Sequence, residues 1–193
     1  VVMASFEADK FEASAGFFNG ATTVIGEDDS IDNYFASVTV NVMEGVKVGG
    51  SYISDITDTD LEIVGPNPVD TVAGYSVFAE VVYAGVVLNL EYLAASQFDV
   101  ADLDLDNGGV GDGTGDAPAT YNVEVGYELS DKVTVAARYE GSSEFFGFQE
   151  TQYGVAGSYA LYDNVGLTAE FISGENYLGE ENSGFGAQLA IEF

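Results

Sequence analysis

Residues 183–193 read Ser183-Gly184-Phe185-Gly186-Ala187-Gln188-Leu189-Ala190-Ile191-Glu192-Phe193, an unbroken alternation between two kinds of side chain. Phe185, Ala187, Leu189, Ile191 and Phe193 fall on one parity; Gly184, Gly186, Gln188, Ala190 and Glu192 fall on the other. Side chains of a strand point alternately to its two faces, so this segment has one apolar and one polar side. A strand of about 9–11 residues patterned in this way, with aromatics near its ends, has the length and dyad repeat of one stave of a transmembrane β-barrel.

The same unit recurs along the whole chain. Period-2 alternation predicts eleven strands, at approximately 1–8, 11–19, 33–43, 46–55, 73–83, 86–97, 120–129, 132–142, 151–161, 165–173 and 183–193. The connections alternate in length. Ala8-Asp9-Lys10, Met43-Glu44-Gly45, Tyr83-Ala84-Gly85, Leu129-Ser130-Asp131-Lys132 and Leu161-Tyr162-Asp163-Asn164 are of turn length and chemistry, whereas 20–32, 56–72, 98–119, 143–150 and 174–182 are longer. Short turns on one rim and longer loops on the other describe an outer-membrane barrel, its turns periplasmic and its loops extracellular. The expected fold is therefore all-β: an antiparallel meander transmembrane β-barrel forming one domain over 1–193.

The charges test this reading. The apolar parity of successive segments carries Phe11, Ala13, Ala15, Phe17; Val38, Val40, Val42; Val46, Val48, Tyr52; Tyr75, Val77, Val81, Tyr83; Val86, Leu88, Leu90, Tyr92; Tyr121, Val123, Val125, Tyr127; Val133, Val135, Ala137, Tyr139; Tyr153, Val155, Tyr159; and Val165, Leu167, Ala169, Phe171. No charge falls among them. The acids within these segments, Glu7, Glu12, Glu80, Glu91, Glu124, Glu128, Glu140, Glu170 and Glu192, all take the other parity. A soluble sandwich also alternates, because one face of each sheet packs in a core. Aromatics near both ends of the apolar face, as in Tyr75 with Tyr83 and Tyr121 with Tyr127, instead match interfacial girdles. The polar face also lacks the mixed Lys and Glu that keep soluble sheet edges apart.

Composition narrows the function classes. The 193 residues hold 33 acids against four bases, Lys10, Lys47, Lys132 and Arg138, for a formal net charge of −29. The charge disfavours nucleic acid and anionic membrane surfaces as partners, and cations are the natural counterparts. The chain has no Cys and no His, which removes disulfides, thiol catalysis, zinc-thiolate sites and the commonest general base. No apolar run reaches the 18 or more residues of a membrane-spanning helix.

Direction counting adds an expectation. The first short turn follows segment 1, so segments 1 and 11 both run toward the short-turn rim. Single-chain bacterial barrels have even strand numbers, and an odd number of strands is expected to precede Val1 in the native protein.

Several stretches resemble the LbtU-type siderophore porins. They are Gly16-Phe17-Phe18-Asn19-Gly20 with Asp28-Asp29-Ser30-Ile31-Asp32-Asn33, Gly50-Ser51-Tyr52-Ile53-Ser54-Asp55-Ile56-Thr57-Asp58, and Glu91-Tyr92-Leu93-Ala94-Ala95. Pro118-Ala119-Thr120-Tyr121-Asn122-Val123-Glu124-Val125-Gly126-Tyr127 and the closing Gln188-Leu189-Ala190-Ile191-Glu192-Phe193 extend the match. The resemblance spans nearly the whole chain and corresponds to the C-terminal part of a family member. It implies a Gram-negative outer-membrane porin associated with ferric-siderophore passage, and it carries over no ligand residue.

On the barrel reading, Glu80, Glu91, Glu124, Glu128, Arg138, Glu140 and Glu170 line the lumen. Arg138 is expected to lie between Glu124, Glu140 or a neighbouring acid in a cross-strand pair, either to satisfy charge in a wet lumen or as a selectivity residue. Small inward residues, among them Gly126, Ala136, Gly154, Ala156, Ser158 and Ala190, would leave space in a wide barrel. In the 98–119 loop, Asp102, Asp104 and Asp106 precede Asn107-Gly108, with Asp112 beyond. Alternating hard carboxylates and a glycine resemble a calcium loop, although Asn107 stands where an EF-hand has glycine and Gly113 where it has glutamate. Calcium at these acids is an expectation; no cofactor is required. No nucleophile, base and orienting group can be assembled, so no catalytic residue is assigned and the chain is read as a non-enzyme. Two functions remain open. One is a channel passing small solutes or metal chelates. The other is a structural or surface-interaction barrel whose acidic loops bind divalent cations. The expected partners are outer-membrane lipid and lipopolysaccharide, the solute itself, and a further copy of the chain or another outer-membrane protein.

Overall fold

The computed structural model describes residues 1–19, 31–56, 72–96, 118–143 and 149–191. These form eleven strands: β1 (Val2–Ala8), β2 (Phe11–Phe18), β3 (Asn33–Met43), β4 (Val46–Ile53), β5 (Gly74–Tyr83), β6 (Val86–Ala95), β7 (Ala119–Ser130), β8 (Val133–Ser143), β9 (Thr151–Tyr162), β10 (Val165–Glu175) and β11 (Glu181–Ile191). They make one sheet in sequence order, each strand antiparallel to the next. The sheet is open, with β1 and β11 as its edges. Both edge strands run toward the short-turn rim, so they cannot pair with each other antiparallel.

The turn chemistry explains the short rim. Ala84 and Gly85 both have positive φ (51° and 81°), the conformation a two-residue type I′ hairpin demands because its twist matches that of the strands. Gly45 (φ 75°) is required twice over, since a Cβ there would stand 2.2 Å from the Val82 carbonyl oxygen. Register shifts at Asn41/Met43, Glu128/Ser130 and Val165/Gly166 sit beside these turns and absorb one residue each.

One connection departs from expectation. The segment expected to be a loop at 174–182 is mostly strand: β10 continues to Glu175, β11 begins at Glu181, and only 176–180 turns. Asn176 closes that turn by accepting the Leu178 and Glu180 N–H groups at 3.0 and 2.9 Å, an Asx turn that sequence alternation does not reveal. The extension places Glu175 and Glu181, paired across the hairpin, on the same parity as the apolar face. That face is therefore free of charge between its aromatic belts and acquires acids only beyond them, at the loop rim.

Burial is inverted relative to a soluble sheet. Val123, Val125, Leu167 and Leu189 are 41, 42, 42 and 57% exposed, so no second sheet covers them. On the other face of β7 and β8, Asn122, Glu124, Arg138 and Glu140 are half-buried. The polar side is thus the concave, crowded one. Among the described residues the buried apolar side chains are Phe18, Val72, Ala94 and Ala95, all near the loop rim.

The register also yields the strand tilt. On the convex face, aromatics occur in cross-strand couples: Phe17 with Tyr34, Tyr52 with Tyr75, Tyr92 with Tyr121, Tyr139 with Tyr153, and Phe171 with Phe185. From one couple to the next the pairing shifts by two residues, because Tyr52 stands opposite Ala36, Tyr92 opposite Val77, Tyr139 opposite Val123 and Phe171 opposite Val155. A girdle lies level at the membrane surface, so strands must slip one residue per strand relative to it. One residue of about 3.3 Å per 4.8 Å of strand spacing corresponds to a tilt of about 35° from the barrel axis, within the range for outer-membrane barrels. A sparser belt of Phe6, Phe11, Tyr83, Tyr127 and Tyr159 marks the short-turn side. At that tilt the belts are separated by about 16 Å from Tyr121 to Tyr127 and about 22 Å from Tyr75 to Tyr83.

Candidate pore wall

The concave face is built of in-register rows that run perpendicular to the strands. One row carries Asn41, Lys47, Glu80, Asn89, Glu124, Arg138, Gly154, Ile172 and Gly184 in succession from β3 to β11. Both strand-borne bases lie in it. Lys47 Nζ approaches Glu80 Oε1 at 3.4 Å, and Asn89 Nδ2 donates to Glu124 Oε1 at 3.5 Å. With both side chains of the Lys47–Glu80 pair 42% exposed, it contributes no more than about 1 kcal/mol.

Of the acids expected beside Arg138, Glu140 is its partner, but the pair is not a cross-strand one. Arg138 stands directly opposite Glu124, yet its ion pair runs along its own strand, from Nε to Glu140 Oε2 at 3.3 Å. The other oxygen of Glu140 accepts a hydrogen bond from Gln152 Nε2 on β9. Gln152 fixes the carboxylate, and the carboxylate draws the guanidinium toward the loop rim. The acid opposite is left to Asn89.

Because a level path slips one residue per strand, residues of one row are not at one height. Tracing a level path from Arg138 reaches Glu91 on β6, which is in the row of Glu140, and Glu170 on β10, which is in the row of Ala156. Glu91, Glu124, Arg138 and Glu170 therefore share the middle height of the wall. Glu80 and Glu128 lie closer to the short turns, and Glu140 lies closer to the loops. All seven side chains expected in the lumen fall on the concave face. The four acids Asp102, Asp104, Asp106 and Asp112 lie outside the described residues.

Two features were not read from the sequence. Ser5, Ser14, Ser37, Ser51 and Ser76 stand in register across β1 to β5, with Ser14 and Ser37 hydroxyls 2.7 Å apart and those of Ser51 and Ser76 2.8 Å apart. Above and below this hydroxyl row, Phe35 and Phe78 lie on the concave face over glycines of the neighbouring strands. A Cβ at Gly16 would meet the Phe35 ring at 2.7 Å, and one at Gly49 would meet the Phe78 ring at 2.4 Å. The signal in the sequence was an aromatic on polar parity facing a glycine, legible only once the register is known. The wall is thus uneven: β2–β5 carry hydroxyls and rings, with Glu12, Lys47 and Glu80 nearer the short turns, while on β7–β10 Glu124, Arg138 and Glu170 stand beside small residues.

Loop bases are tied down at the far rim. Asp55 is buried and accepts the Val72 N–H at 3.1 Å, while Ser54 Oγ donates to Asn33 Oδ1 at 3.1 Å. Ser142 Oγ donates to the Gln149 carbonyl and lies 2.7 Å from the Tyr177 hydroxyl, so the 176–180 turn is linked across β9 to β8.

Comparison with known proteins now adds the fold. The outer-membrane channel DcaP of Acinetobacter baumannii superposes with a TM-score of 0.64 at 14% identity, covering 99% of this chain and 61% of that one. Salmonella typhi OmpF, solved with daunomycin, gives a TM-score of 0.65 at 11% identity, covering 97% and 60%. The sheet has the fold of part of a porin barrel. Vibrio cholerae OmpT, an outer membrane protein, matches at 0.55 and 18%, covering 98% and 62%. The chain spans about three fifths of the length of these porin-fold neighbours. No family model and no curated protein sequence matches it.

Proposed function

We propose that the chain forms part of a water-filled channel in the outer membrane of a Gram-negative bacterium, passing small solutes and favouring cationic and neutral ones. The observation that carries this is the concave face itself, which holds every described in-strand charge between the aromatic belts, a row of hydroxyls, and small residues beside Glu124, Arg138 and Glu170. Width supports it. Eleven strands at about 4.8 Å spacing and 35° tilt cover about 64 Å of circumference, so even curled shut they would enclose a space about 20 Å across between backbones. Eight-stranded barrels, filled by their own side chains, are narrower. On the concave face Glu7, Glu12, Glu80, Glu91, Glu124, Glu128, Glu140 and Glu170 stand against Lys47 and Arg138, which gives a negative lumen.

Passage of metal chelates such as ferric siderophores rests on the sequence resemblance, and the acidic lumen suits a chelate of positive or zero net charge. Planar-bilayer recording of the native protein tests the channel reading. Stable conductance steps with a reversal potential favouring potassium over chloride are expected. A folded, inserted protein that conducts nothing would overturn the reading in favour of a structural barrel.

A further inference from the structure

A depression of about 100 Å³ opens on the concave face over Ala136, Gly154 and Ala156, with Glu124, Arg138 and Glu170 at its rim. Two methyl groups and a glycine make its floor, and Ile172, whose Cγ1 would lie 3.8 Å from a Cβ at Gly154, bounds it on β10. Arg138 is held from the loop side by Glu140, which Gln152 fixes in turn. Both rim acids lean away from it. Glu124 turns to Asn89 on β6, and Glu170 lies over Gly186 on β11, where a Cβ would stand 2.8 Å from its Oε1. Among the described residues neither acid pairs with Arg138, although Glu124 is directly opposite. The result is a positive group between two negative ones, with open wall between them.

We propose that this depression binds the free termini of a short peptide, carboxylate on Arg138 and ammonium on Glu170 or Glu124. The inference rests on the channel reading and names a solute class for it. A simple anion would meet Arg138 but also both acids and the negative lumen. A simple cation would meet the acids but be repelled by the guanidinium at the centre. A zwitterion satisfies both signs at once, and the fork of Arg138 suits a carboxylate. The scale fits as well. Two strands and two residues separate the Arg138 and Glu170 backbones, about 12 Å, and side chains reaching inward narrow this to the length of two or three residues at about 3.5 Å each.

The experiment is block of potassium current through the native protein in planar bilayers by triglycine, N-acetyl-triglycine and triglycine amide. Triglycine is expected to block at concentrations at least tenfold below either derivative, and R138Q to abolish its advantage over triglycine amide. E170Q is expected to weaken triglycine block severalfold while sparing N-acetyl-triglycine. Equal block by the acetylated peptide would make this an anion site, equal block by the amide plain acidic attraction, and unchanged triglycine block in R138Q a site elsewhere; each overturns the proposal. If R138Q does not assemble, the three peptides on the native protein and E170Q decide. Normal potassium current without triglycine block sinks this inference alone, whereas absence of any current sinks the channel reading beneath it.

Discussion

Ala136 and Ala137 are adjacent on β8, identical in chemistry and strand propensity, and point to opposite faces, so an arginine at each tests the face assignment directly. Ala137 lies on the convex face between the girdle couples, two residues from Tyr139 toward the short turns. That places it near the middle of the apolar band, where an arginine on a barrel's lipid face costs about 2–4 kcal/mol. At 1.4 kcal/mol per factor of ten, A137R should lower the folding constant about 30- to 700-fold. Ala136 faces the lumen beside Ala156 and one strand further from Glu170. An arginine there stays in water near an acid, and A136R should change stability by less than about 0.5 kcal/mol, as for surface substitutions generally. Both variants would be folded into phospholipid vesicles and unfolded reversibly in guanidinium, with far-UV circular dichroism as the signal and the native protein as reference. If A136R proves more costly than A137R, the apolar face is a protein core, the polar face is a solvent face, and the barrel argument fails at its root.

Other consequences can be checked in the same preparations. Cation preference should weaken as salt rises from 0.1 to 1 M, because the screening length falls from about 10 to 3 Å, and a salt-independent ratio would mean that the lumen acids do not set it. K47M should raise cation preference in reversal-potential measurements by removing one of the two bases on the concave face of the described strands, while costing under about 1 kcal/mol in vesicle unfolding. G45A should destabilise more than G85A: both sites have positive φ, for which a side chain costs about 1–2 kcal/mol, but only at Gly45 would the added Cβ also strike a backbone oxygen, at 2.2 Å against a nearest neighbour at 3.6 Å for Gly85.

Much of this fold was legible because alternation is a local property. Each strand's parity is set by its own residues, and Val123 or Leu167 announces its face with no knowledge of a neighbour. The 174–182 segment escaped because an Asx turn at Asn176 lets the ladder run on through residues that carry no apolar alternation. The site was legible by face, while the choice among Glu124, Glu140 and other acids as partner was left open. That Arg138 lies inward follows from parity; that it pairs with Glu140 two residues along, and leaves Glu124 to Asn89, depends on a hydrogen bond from Gln152 on another strand.

Height is the property that sequence hides most completely. Lys47 and Arg138 share one hydrogen-bonded row, and a reader who knew the pairings might place them in one charged ring. They are four strands apart, and a slip of one residue per strand separates their levels by four residues. At about 3.3 Å per residue and 35° tilt, that is about 11 Å along the barrel axis. Lys47 consequently sits near the short-turn mouth with Glu80, while Arg138 stands at mid-height among Glu91, Glu124 and Glu170. A solute crossing the wall would meet the two bases one after the other, never together. Of these two bases, Arg138 is the one at mid-height, where the proposed peptide site lies.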